Sequence, residues 1–297
     1  MTFINSVNII IYYKDMILIA DSGSTKVDWC FVEGTSIVKQ VSTSGINPVV
    51  MSEDEVSACI GGQLMPQMEG LSPASVHFYG AGCVSDEKCA IVASAISGHI
   101  PDVSVTVGSD MLAAARAICG SDPGIACILG TGSNSCVYDG RHIIDNVSPL
   151  GYILGDEGSG AVLGKMLVGD VLKRHLPEEL CARFLEQYSL DRLTVIDRVY
   201  RQPQANRFLA SLTPFLLENI SDPAVYGLVL RAFISFFERN VANYSSYRDM
   251  AVGFVGSIAY YYRDVLADAA GQFGCTLGRI LRSPMEGLVE YHTKKII

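Results

Sequence analysis

The run Ile17-Leu-Ile-Ala-Asp21-Ser-Gly23-Ser-Thr25 passes from an apolar segment into a turn rich in glycine and hydroxyl side chains. Two more apolar runs follow at residues 27–32 and 37–41, and Glu33-Gly34 separates them. Apolar and β-branched runs bounded by such turns predict strands, and an acidic residue before glycine predicts a hairpin turn. This part of the chain therefore predicts a meander of three strands.

The same order of elements recurs later in the chain, where Gly132 lies 109 residues after Gly23. A second acidic turn, Asp139-Gly140, corresponds to Glu33-Gly34. The matching segments of the second copy are residues 125–129, 130–134, 135–138 and 143–144. Two runs of similar spelling can arise by chance, but four matched elements in one order indicate a duplicated domain.

The remaining pattern predicts the fold class. Helix and strand alternate between the two copies, and helical periodicity dominates after the second copy. The further predicted strands are residues 75–79, 103–107, 250–255 and 276–282; the predicted helices are residues 53–67, 85–97, 111–119, 159–175, 178–188, 191–200, 204–219, 224–244, 257–271 and 284–291. Mixed sheets covered by helices imply an α/β class with two lobes. We expect an extension of unclear role at residues 1–15, a first lobe at 16–112 and a larger second lobe, with a helical insert, at 113–297.

The composition excludes several classes of protein. Of 297 residues, 49% are hydrophobic and 18% are charged, which supplies a buried core and excludes disorder. Residues 1–150 carry six Lys/Arg against 15 Asp/Glu, which accounts for the net charge of −9. A negative chain without a basic cluster argues against a nucleic-acid or anionic-membrane surface. No apolar run reaches the roughly 20 residues of a transmembrane helix.

The nine cysteines form no recognisable framework. Their number is odd, no Cys-x-x-Cys occurs and no histidine lies at a metal-ligand spacing, so we expect reduced, mostly buried thiols in a cytoplasmic protein. Residues 1–15 contain an apolar stretch, but no basic start or small-residue cleavage site accompanies it, which disfavours a signal peptide.

Two turns are candidate phosphate sites, Asp21-Ser22-Gly23-Ser24-Thr25-Lys26 and Gly130-Thr131-Gly132-Ser133-Asn134. A turn rich in glycine exposes backbone N–H groups and lets a phosphate approach without obstruction by a Cβ. Neither turn is a P-loop, and each alone is also typical of an ordinary hairpin. Two copies of one lobe facing across a cleft would bring the turns together to grip one polyphosphate, with Mg²⁺ adding charge neutralisation.

Asp110 stands in Gly108-Ser109-Asp110, where a predicted strand ends and a predicted helix begins. In one interpretation Ser109 or Asp110 caps that helix. In the other, the Asp110 carboxylate faces the cleft and accepts the proton of an attacking hydroxyl in phosphoryl transfer.

The segment from Gly151 to Gly160 contains four glycines in ten residues and an acidic pair, Asp156-Glu157. Acidic residues in a first helical turn are favourable to the helix dipole, which is one interpretation. The glycines also suit a close backbone approach to a small ligand, with Asp156 bonding polyol hydroxyls or arranging Mg²⁺.

Two further segments allow both a structural and a functional interpretation. One is Gly253-Phe-Val-Gly256-Ser257, which does not fit the dinucleotide fingerprint. Gly256 and Ser257 nevertheless suit a nucleotide that binds at a helix N-terminus. Close helix packing is the alternative reason for the two glycines. Asn47 precedes a proline, which is typical of a turn residue, and it is also a candidate ligand contact.

Taken in order, these segments resemble the N-acetylglucosamine kinase-like members of the BadF/BadG/BcrA/BcrD ATPase family, within the actin-like, sugar-kinase and Hsp70 ATPase superfamily. The resemblance is carried by residues 21–26, 44–47, 109–110, 130–134, 155–159 and 253–257 and spans residues 16 to about 292. It implies two ribonuclease-H-like lobes with mixed sheets flanked by helices, an active site in the interdomain cleft, and a last helix that packs back on the first lobe.

The resemblance also implies roles for single residues. ATP and Mg²⁺ are the expected cofactors, Asp110 is the expected general base, and Asp21 is the expected Mg²⁺ ligand, directly or through water. The expected ATP contacts are Asp21, Gly23, Ser24, Thr25, Lys26, Gly130, Thr131, Gly132, Gly253, Gly256 and Ser257. The expected sugar contacts are Asn47, Ser133, Asn134, Gly151, Tyr152 and Asp156.

The expected reaction is phosphorylation of N-acetylglucosamine, or of glucosamine, to the 6-phosphate. Ser22 and Ser24 stand where human-type relatives are richer in glycine, and Tyr152 stands where they carry Trp, which bears on the sugar's identity more than on the phosphate chemistry. An ATPase that activates a radical dehydratase through a cysteine-bound [4Fe–4S] cluster is one alternative, and a catalytically silent amino-sugar or nucleotide sensor is another. The expected partner is a small amino sugar, with neither nucleic acid nor membrane, and a homodimer is open.

Overall fold

Two mixed sheets, each of five strands, organise the residues that this computed structural model describes, which are 16–23 and 25–294. The expectations for residues 1–15 and for Ser24 lie outside them. The chain divides into two compact units, one of residues 16–110 and one of Met111–Lys294. The sequence placed this boundary two residues later.

The sheet of the first unit contains β1 (Ile17–Ser22), β2 (Lys26–Glu33), β3 (Ser36–Ser44), β4 (Ser75–Gly80) and β5 (Ser104–Ser109). Its strand order is β3-β2-β1-β4-β5. The first three strands are antiparallel, as hairpin turns require, whereas β4 and β5 run parallel to β1. Its core includes Trp29, whose indole Nε1 donates to Thr43 Oγ1 at 3.0 Å, so the buried indole N–H has an acceptor.

The sheet of the second unit repeats this topology. It contains β6 (Gly124–Leu129), β7 (Ser133–Tyr138), β8 (Ile143–Asp145), β9 (Ala251–Val255) and β10 (Thr276–Leu281). Its strand order is β10-β9-β6-β7-β8. Read from β8 to β10, this order matches that of the first sheet strand for strand, with the same antiparallel and parallel pairings. The two-lobe α/β class predicted from the internal repeat is therefore confirmed.

The helices of the first unit are α1 (Glu53–Cys59), α2 (Met65–Met68) and α3 (Asp86–His99), and a π-helical turn, Ile60–Leu64, joins the first two. Ser52 and Glu55 form a capping box at the start of α1. The predicted helix of residues 53–67 is therefore interrupted. Two consecutive glycines weaken its centre and Pro66 cannot donate a backbone hydrogen bond, which together explain the irregular turn.

The second unit is rich in helices, as the sequence predicts. They are α4 (Asp110–Cys119, whose first residue ends the first unit), α5 (Gly151–Leu154), α6 (Gly160–Leu172), α7 (Glu178–Gln187), α8 (Arg192–Tyr200), α9 (Ala205–Ala210), α10 (Thr213–Glu218), α11 (Pro223–Arg239), α12 (Ser257–Tyr261), α13 (Arg263–Phe273) and α14 (Met285–Thr293). No helix among the described residues has both the length and the apolar character that crossing a membrane requires.

Two of the long predicted helices are divided in the structure. Residues 204–219 form α9 and α10, because Pro214 at the start of α10 ends the preceding hydrogen-bond ladder. Residues 257–271 likewise form α12 and α13, with a break at Tyr262, whose hydroxyl donates to the Thr213 carbonyl at 2.6 Å. Tertiary contact thus outweighs local helical periodicity at this position.

The core of the second unit centres on α11. Its residues Phe233, Phe236 and Phe237 are fully buried, and the last two pack against Phe254 of β9. Burying a phenylalanine side chain contributes about 1.5–3 kcal/mol each. The last helix, α14, packs on α4, where a Cβ at Gly287 would overlap the backbone of Ala117.

Gly164 and Gly169 of α6 provide a matched test of this packing. A Cβ at Gly164 would overlap the carbonyl oxygen of Leu209, whereas a Cβ at Gly169 meets no atom within 4 Å. We expect Gly164→Ala to lower the free energy of unfolding by about 2 kcal/mol or more, because α9 must move. Gly169→Ala should raise it by about 1 kcal/mol at most through helix propensity. Chemical denaturation of both variants is the measurement, and equal effects would contradict the observed contact.

Candidate functional site

Three parallel strands of the first unit end at one edge of the sheet. Ser22 of β1 pairs with Gly80 of β4, which pairs with Ser109 of β5. Asp21 lies one residue before the end of β1, and Asp110 directly follows β5. The carboxyl ends of parallel strands are where α/β proteins place ligands, so this edge gathers two carboxylates in the position typical of a binding site.

Asp21 is a carboxyl group at this edge whose pKa is strongly perturbed. Burial is the largest cause, and together with the negative charges of Asp28 and Asp110, against the opposing effect of Lys26, it raises the pKa of Asp21 from the ordinary 3.8 to about 7. Lys26 Nζ itself lies 2.7 Å from Asp28 Oδ2. Asp21 and Asp110 are therefore within electrostatic reach of each other, and negative charge on Asp21 is costly unless a cation joins the group.

The first glycine turn is closed by its own backbone. Gly23 N donates to the Lys26 carbonyl at 3.0 Å, and Gly45 N donates to the Thr25 carbonyl at 2.9 Å. The side chains of Thr25 and Lys26 are exposed. The Gly23 N–H is thus used inside the turn, and the exposed side chains are the groups that the turn presents to solvent.

Ser22 brings the loop with Asn47 to this edge. Its fully buried hydroxyl donates to the Ile46 carbonyl at 2.9 Å and accepts from Ile46 N at 3.2 Å. Asn47 Oδ1 accepts from Val49 N at 2.9 Å, as in an Asx turn. Sequence analysis assigned Ser22 no role beyond its departure from glycine, because its hydrogen-bond partner lies in another element.

Asn47 also contacts the loop after β4. Gly82, at a φ of +86°, lies so close that a Cβ there would overlap Asn47 Oδ1. The backbone of the β4 loop and the amide of Asn47 are therefore in contact near the end of β4. The structure thus brings Asp21, Asn47 and Asp110 to one edge of the first unit.

In the second unit, the glycine turn is held by the start of α6. Gly160 N donates to the Gly130 carbonyl at 2.8 Å, and Ala161 N donates to the Thr131 carbonyl at 3.1 Å. Gly130 N donates to the Gly132 carbonyl at 3.0 Å. The first free N–H groups of α6 are therefore satisfied by the turn, which fixes its conformation.

Asp156 lies against the same turn. Ser133 N donates to Asp156 Oδ1 at 3.2 Å, and a Cβ at Gly132 would lie 3.0 Å from Asp156 Oδ2. Burial raises the pKa of Asp156, and the charge of Glu157 raises it further, whereas the Ser133 N–H and Lys165 lower it. A half-buried carboxylate at a glycine turn is suited to accepting hydrogen bonds from a polyhydroxylated ligand.

Asn134 is held next to this group by a neighbouring amide. Its Oδ1 accepts from Ser135 N and from Asn146 Nδ2, both at 2.9 Å. The Ser135 hydroxyl lies 2.8 Å from the Tyr244 hydroxyl, which in turn accepts from Val147 N at 3.0 Å. Ser133, Asn134 and Asp156 are therefore brought together on a hydrogen-bonded support.

The loop that carries Asp156 is anchored by a group that the sequence did not indicate. Arg239 Nε lies 2.5 Å from Glu157 Oε1, and Asn240 Nδ2 donates to Glu157 Oε2 at 3.4 Å. Asp156 itself has a φ of +54°, and its N–H donates to the Pro149 carbonyl at 3.1 Å. Glu157, Arg239 and Asn240 line a polar cavity of about 360 Å³ beside the loop.

The remaining predicted residues have different surroundings. Tyr152 lies on α5, where its carbonyl accepts from Lys165 Nζ at 3.0 Å, and Gly151, at a φ of +72°, begins that helix. Gly253 is buried, and a Cβ there would overlap Ile118, which is the contact of a packing residue. Gly256, at a φ of +127°, approaches the Leu129 carbonyl, and Ser257 is exposed at the start of α12.

The described residues show no arrangement of thiols that resembles a metal centre. All nine cysteines are free. Within residues 16–23 and 25–294, no group of three or more His, Cys, Asp or Glu side chains is placed to hold a metal ion.

Comparison with known proteins finds relatives among solved structures. A scan of protein-family models gives no match, and neither does a search of curated proteins. A solved structure from Porphyromonas gingivalis, provisionally named an N-acetylglucosamine kinase, is 47% identical with a TM-score of 0.91, and the alignment covers 95% of this chain and 100% of that one. An identity of 47% over nearly the whole of both chains shows that the two proteins belong to one family.

Two more distant structures share the fold. A Chromobacterium violaceum protein, also provisionally named an N-acetylglucosamine kinase, is 19% identical over 93% of this chain and 98% of its own, with a TM-score of 0.67. A ROK hexokinase from Thermus thermophilus is 15% identical over 93% of this chain and 96% of its own, with a TM-score of 0.53. At these identities the likeness concerns the fold alone.

The raised pKa of Asp21 leads to a prediction about stability. The unfolded carboxyl titrates near 3.8 and the folded one near 7, so the folded state binds more protons between these values. Its contribution to the free energy of unfolding is therefore complete below about pH 4 and is lost as the pH rises through about 7. Asp21→Asn should remove this loss, so that the variant gains stability relative to the parent between pH 4 and pH 8.

Chemical denaturation across this pH range, without divalent cations, measures the effect. Asp102→Asn, a change at an exposed loop carboxylate of the same unit, is the control and should follow the parent. Parallel profiles for the parent and Asp21→Asn would show that Asp21 titrates normally.

Proposed function

Because the chain belongs to the N-acetylglucosamine kinase-like group of the BadF/BadG/BcrA/BcrD ATPase family, we propose that it transfers the γ-phosphoryl group of ATP to N-acetylglucosamine. The enzyme class, an ATP-dependent sugar kinase, follows from this membership. The choice of N-acetylglucosamine, with glucosamine as the next candidate, and the 6-hydroxyl as acceptor are part of the proposal.

The observation that carries the proposal is the position of Asp110 at the edge where β1, β4 and β5 end. A sugar hydroxyl is a poor nucleophile until its proton has an acceptor. Asp110 is the carboxylate that we assign to this role, and its negative charge is near enough to Asp21 to raise the pKa of that group. The Asp110 carboxylate orients the acceptor hydroxyl and takes its proton as the new O–P bond forms.

Asp21 fits a divalent cation. Two other acidic groups act electrostatically on its carboxylate, although the three are not placed as one set of metal ligands, so Asp21 would be a single carboxylate ligand, of the oxygen type that Mg²⁺ prefers. Asp21 would hold Mg²⁺ directly or through water. When bound, the cation neutralises negative charge on the phosphates of ATP. Lys26 forms an ion pair with Asp28, so the charge of this carboxylate is neutralised. This limits the repulsion among the acidic groups at the edge of the sheet.

ATP is assigned to the glycine turns and to the start of α12. The proposed contacts of the ATP phosphates are Gly23, Ser24, Thr25 and Lys26 of the first turn and Gly130, Thr131 and Gly132 of the second. Gly256 and Ser257 are proposed for the adenosine, with Gly253 as a neighbour that permits close packing. Exposed hydroxyls and a turn fixed by α6 are the features that support this assignment.

The sugar is assigned to the polar side chains that surround the second turn and to the loop with Asn47. Asp156 uses one carboxylate oxygen on the Ser133 N–H, and a carboxylate accepts several hydrogen bonds, so it has capacity for sugar hydroxyls. Ser133, Asn134, Gly151, Tyr152 and Asn47 complete the assigned set. Polar groups that a bound sugar shields from water discriminate against analogues that lack the matching hydroxyl, because those groups would be left unpaired.

A coupled assay of ADP release tests the proposed function. The screen compares hexoses, 2-amino hexoses and their N-acetyl derivatives, with ATP and Mg²⁺. We expect release that depends on sugar and is fastest with N-acetylglucosamine. Sugar-dependent thermal stabilisation without ADP release would instead show a sensor, and near-stoichiometric iron and sulfide in anaerobically purified protein would show a dehydratase activator.

Asp110→Ala and the isosteric Asp110→Asn test the general base. Each should lower kcat by at least about 100-fold while changing the KM for ATP little, because proton acceptance is lost and phosphate binding is not. Steady-state kinetics of both variants measure this, with Asp102→Asn as a control that retains activity. Turnover near that of the parent in Asp110→Asn would remove Asp110 from the role.

Arg239 is expected to position the loop that carries Asp156. Arg239→Met removes the ion pair with Glu157, so the KM for the sugar should rise by roughly tenfold or more, with the KM for ATP less affected, since charged hydrogen bonds contribute about 1.5–3 kcal/mol. Arg239→Lys should restore part of the affinity. Arg231→Met, on the same helix and paired with Asp170 at 3.6 Å, is the control. An equal rise of both KM values would indicate a general loss of structure.

A further inference from the structure

A second cavity in the second unit has Tyr152, one of the proposed sugar contacts, in its lining, and its other lining residues lie outside the groups assigned above to the reaction. Residues of α5, α6, α8 and α9 line it, and its volume is about 510 Å³. Its apolar lining comes from Ile153, Val168, Leu172, Val195, Val199 and Leu209. A volume between about 300 and 1,000 Å³ with mostly apolar walls is typical of sites for small organic ligands.

The mouth of this cavity exposes large apolar side chains. Ile153 is 74% exposed, Ile196 is 40% exposed and Tyr200 is 77% exposed, and all three line the cavity. Single exposed apolar residues are ordinary, but a contiguous group around a concave site marks a binding surface. A ligand that covers these side chains needs a substantial apolar part.

The charged groups at the cavity are all of one sign. Lys165 on α6 and Lys173, which directly follows that helix, are both exposed and line it together with the apolar residues. No Asp or Glu is among the described residues of the lining. Two ammonium groups beside an apolar hollow complement an anion that carries a hydrocarbon chain.

We propose that this cavity binds a small amphipathic anion, an alkyl carboxylate of medium chain length, with the chain between α6 and α8 and the carboxylate at Lys165 and Lys173. Such a ligand matches both the apolar walls and the two lysines of the cavity. The hydrocarbon covers the exposed apolar group at the mouth, and the carboxylate accepts from the lysine ammonium groups without entering the apolar interior.

The same lysine connects the cavity to the loop of the sugar site. Lys165 Nζ donates to the Tyr152 carbonyl at 3.0 Å, and its charge lowers the pKa of Asp156. A bound carboxylate competes with the Tyr152 carbonyl for this donor and offsets the positive charge near Asp156. This consequence rests on the proposed function: occupancy of the cavity should change the affinity for the sugar.

Binding is tested first, without reference to catalysis. Isothermal titration with decanoate, below its micelle concentration, should give saturable binding with one site per chain. Decanol, which lacks the charge, and hexanoate, which lacks most of the chain, should bind at least about tenfold more weakly, a difference of about 1.4 kcal/mol. Absence of saturable binding, or equal binding of decanol, would overturn the proposal whether or not the chain phosphorylates a sugar.

Variants locate the site. Lys173→Met keeps the stem length and removes one charge, and Val199→Asp places a negative charge in the apolar wall; both should weaken decanoate binding at least about tenfold, or about 1.4 kcal/mol. Lys88→Met, on α3 of the first unit, should bind as the parent does. Unchanged binding in Lys173→Met and Val199→Asp, with circular dichroism showing both folded, would place decanoate elsewhere and overturn the proposal.

Two further measurements distinguish the possible occupants and the coupling. Sedimentation that shows self-association, abolished by Tyr200→Asp and unaffected by decanoate, would assign the surface to a second copy of the chain and overturn the proposal. If the chain shows sugar-dependent ADP release, decanoate should change the KM for the sugar about fivefold or more, a typical coupling between sites. Lys173→Met, which retains the contact between Lys165 and Tyr152, should lose this response.

Discussion

The parallel pairing of β1, β4 and β5 ends in one register, with Ser22, Gly80 and Ser109 side by side, and the arrangement of the first unit follows from it. Backbone hydrogen bonds hold the ends of neighbouring strands about 5 Å apart, so residues far apart in sequence come to one edge. The cost of this arrangement is electrostatic: burial, together with the charges of Asp28 and Asp110, raises the pKa of Asp21 to about 7. A site with this cost is suited to a cation and to proton transfer.

The two units share a strand order but stabilise their glycine turns differently. In the first, Ser22 holds the loop of Ile46 through two hydrogen bonds, and the Gly23 N–H closes the turn. In the second, the first N–H groups of α6 bond to the carbonyls of Gly130 and Thr131. Duplication of one sheet topology has therefore produced two local chemistries, a group of carboxylates in one unit and a group of amide, hydroxyl and carboxylate donors and acceptors in the other.

The helical insert of the second unit supports its polar groups from outside the sheet. Arg239 at the end of α11 pairs with Glu157, next to Asp156, and Lys165 of α6 holds the Tyr152 carbonyl. Tyr244, just after α11, bonds to Ser135 and Val147. The buried phenylalanines of α11 fix that helix against β9, so these long side chains act from a rigid element.

The sequence alone determined the strands, the hairpin turns and their duplication, because these depend on side-chain periodicity and turn residues that are local in the chain. It also placed Asp110 at a strand end, since strand and helix signals meet there. The sequence pattern predicted continuous helices through Pro214 and Tyr262, and the breaks at these residues appear only in the structure. Only the tertiary structure decided which groups meet: the shift in the pKa of Asp21 needs burial and two acidic neighbours, and Asn240 meets Glu157 across 83 residues. Such contacts depend on the packing of whole elements, which no local pattern records.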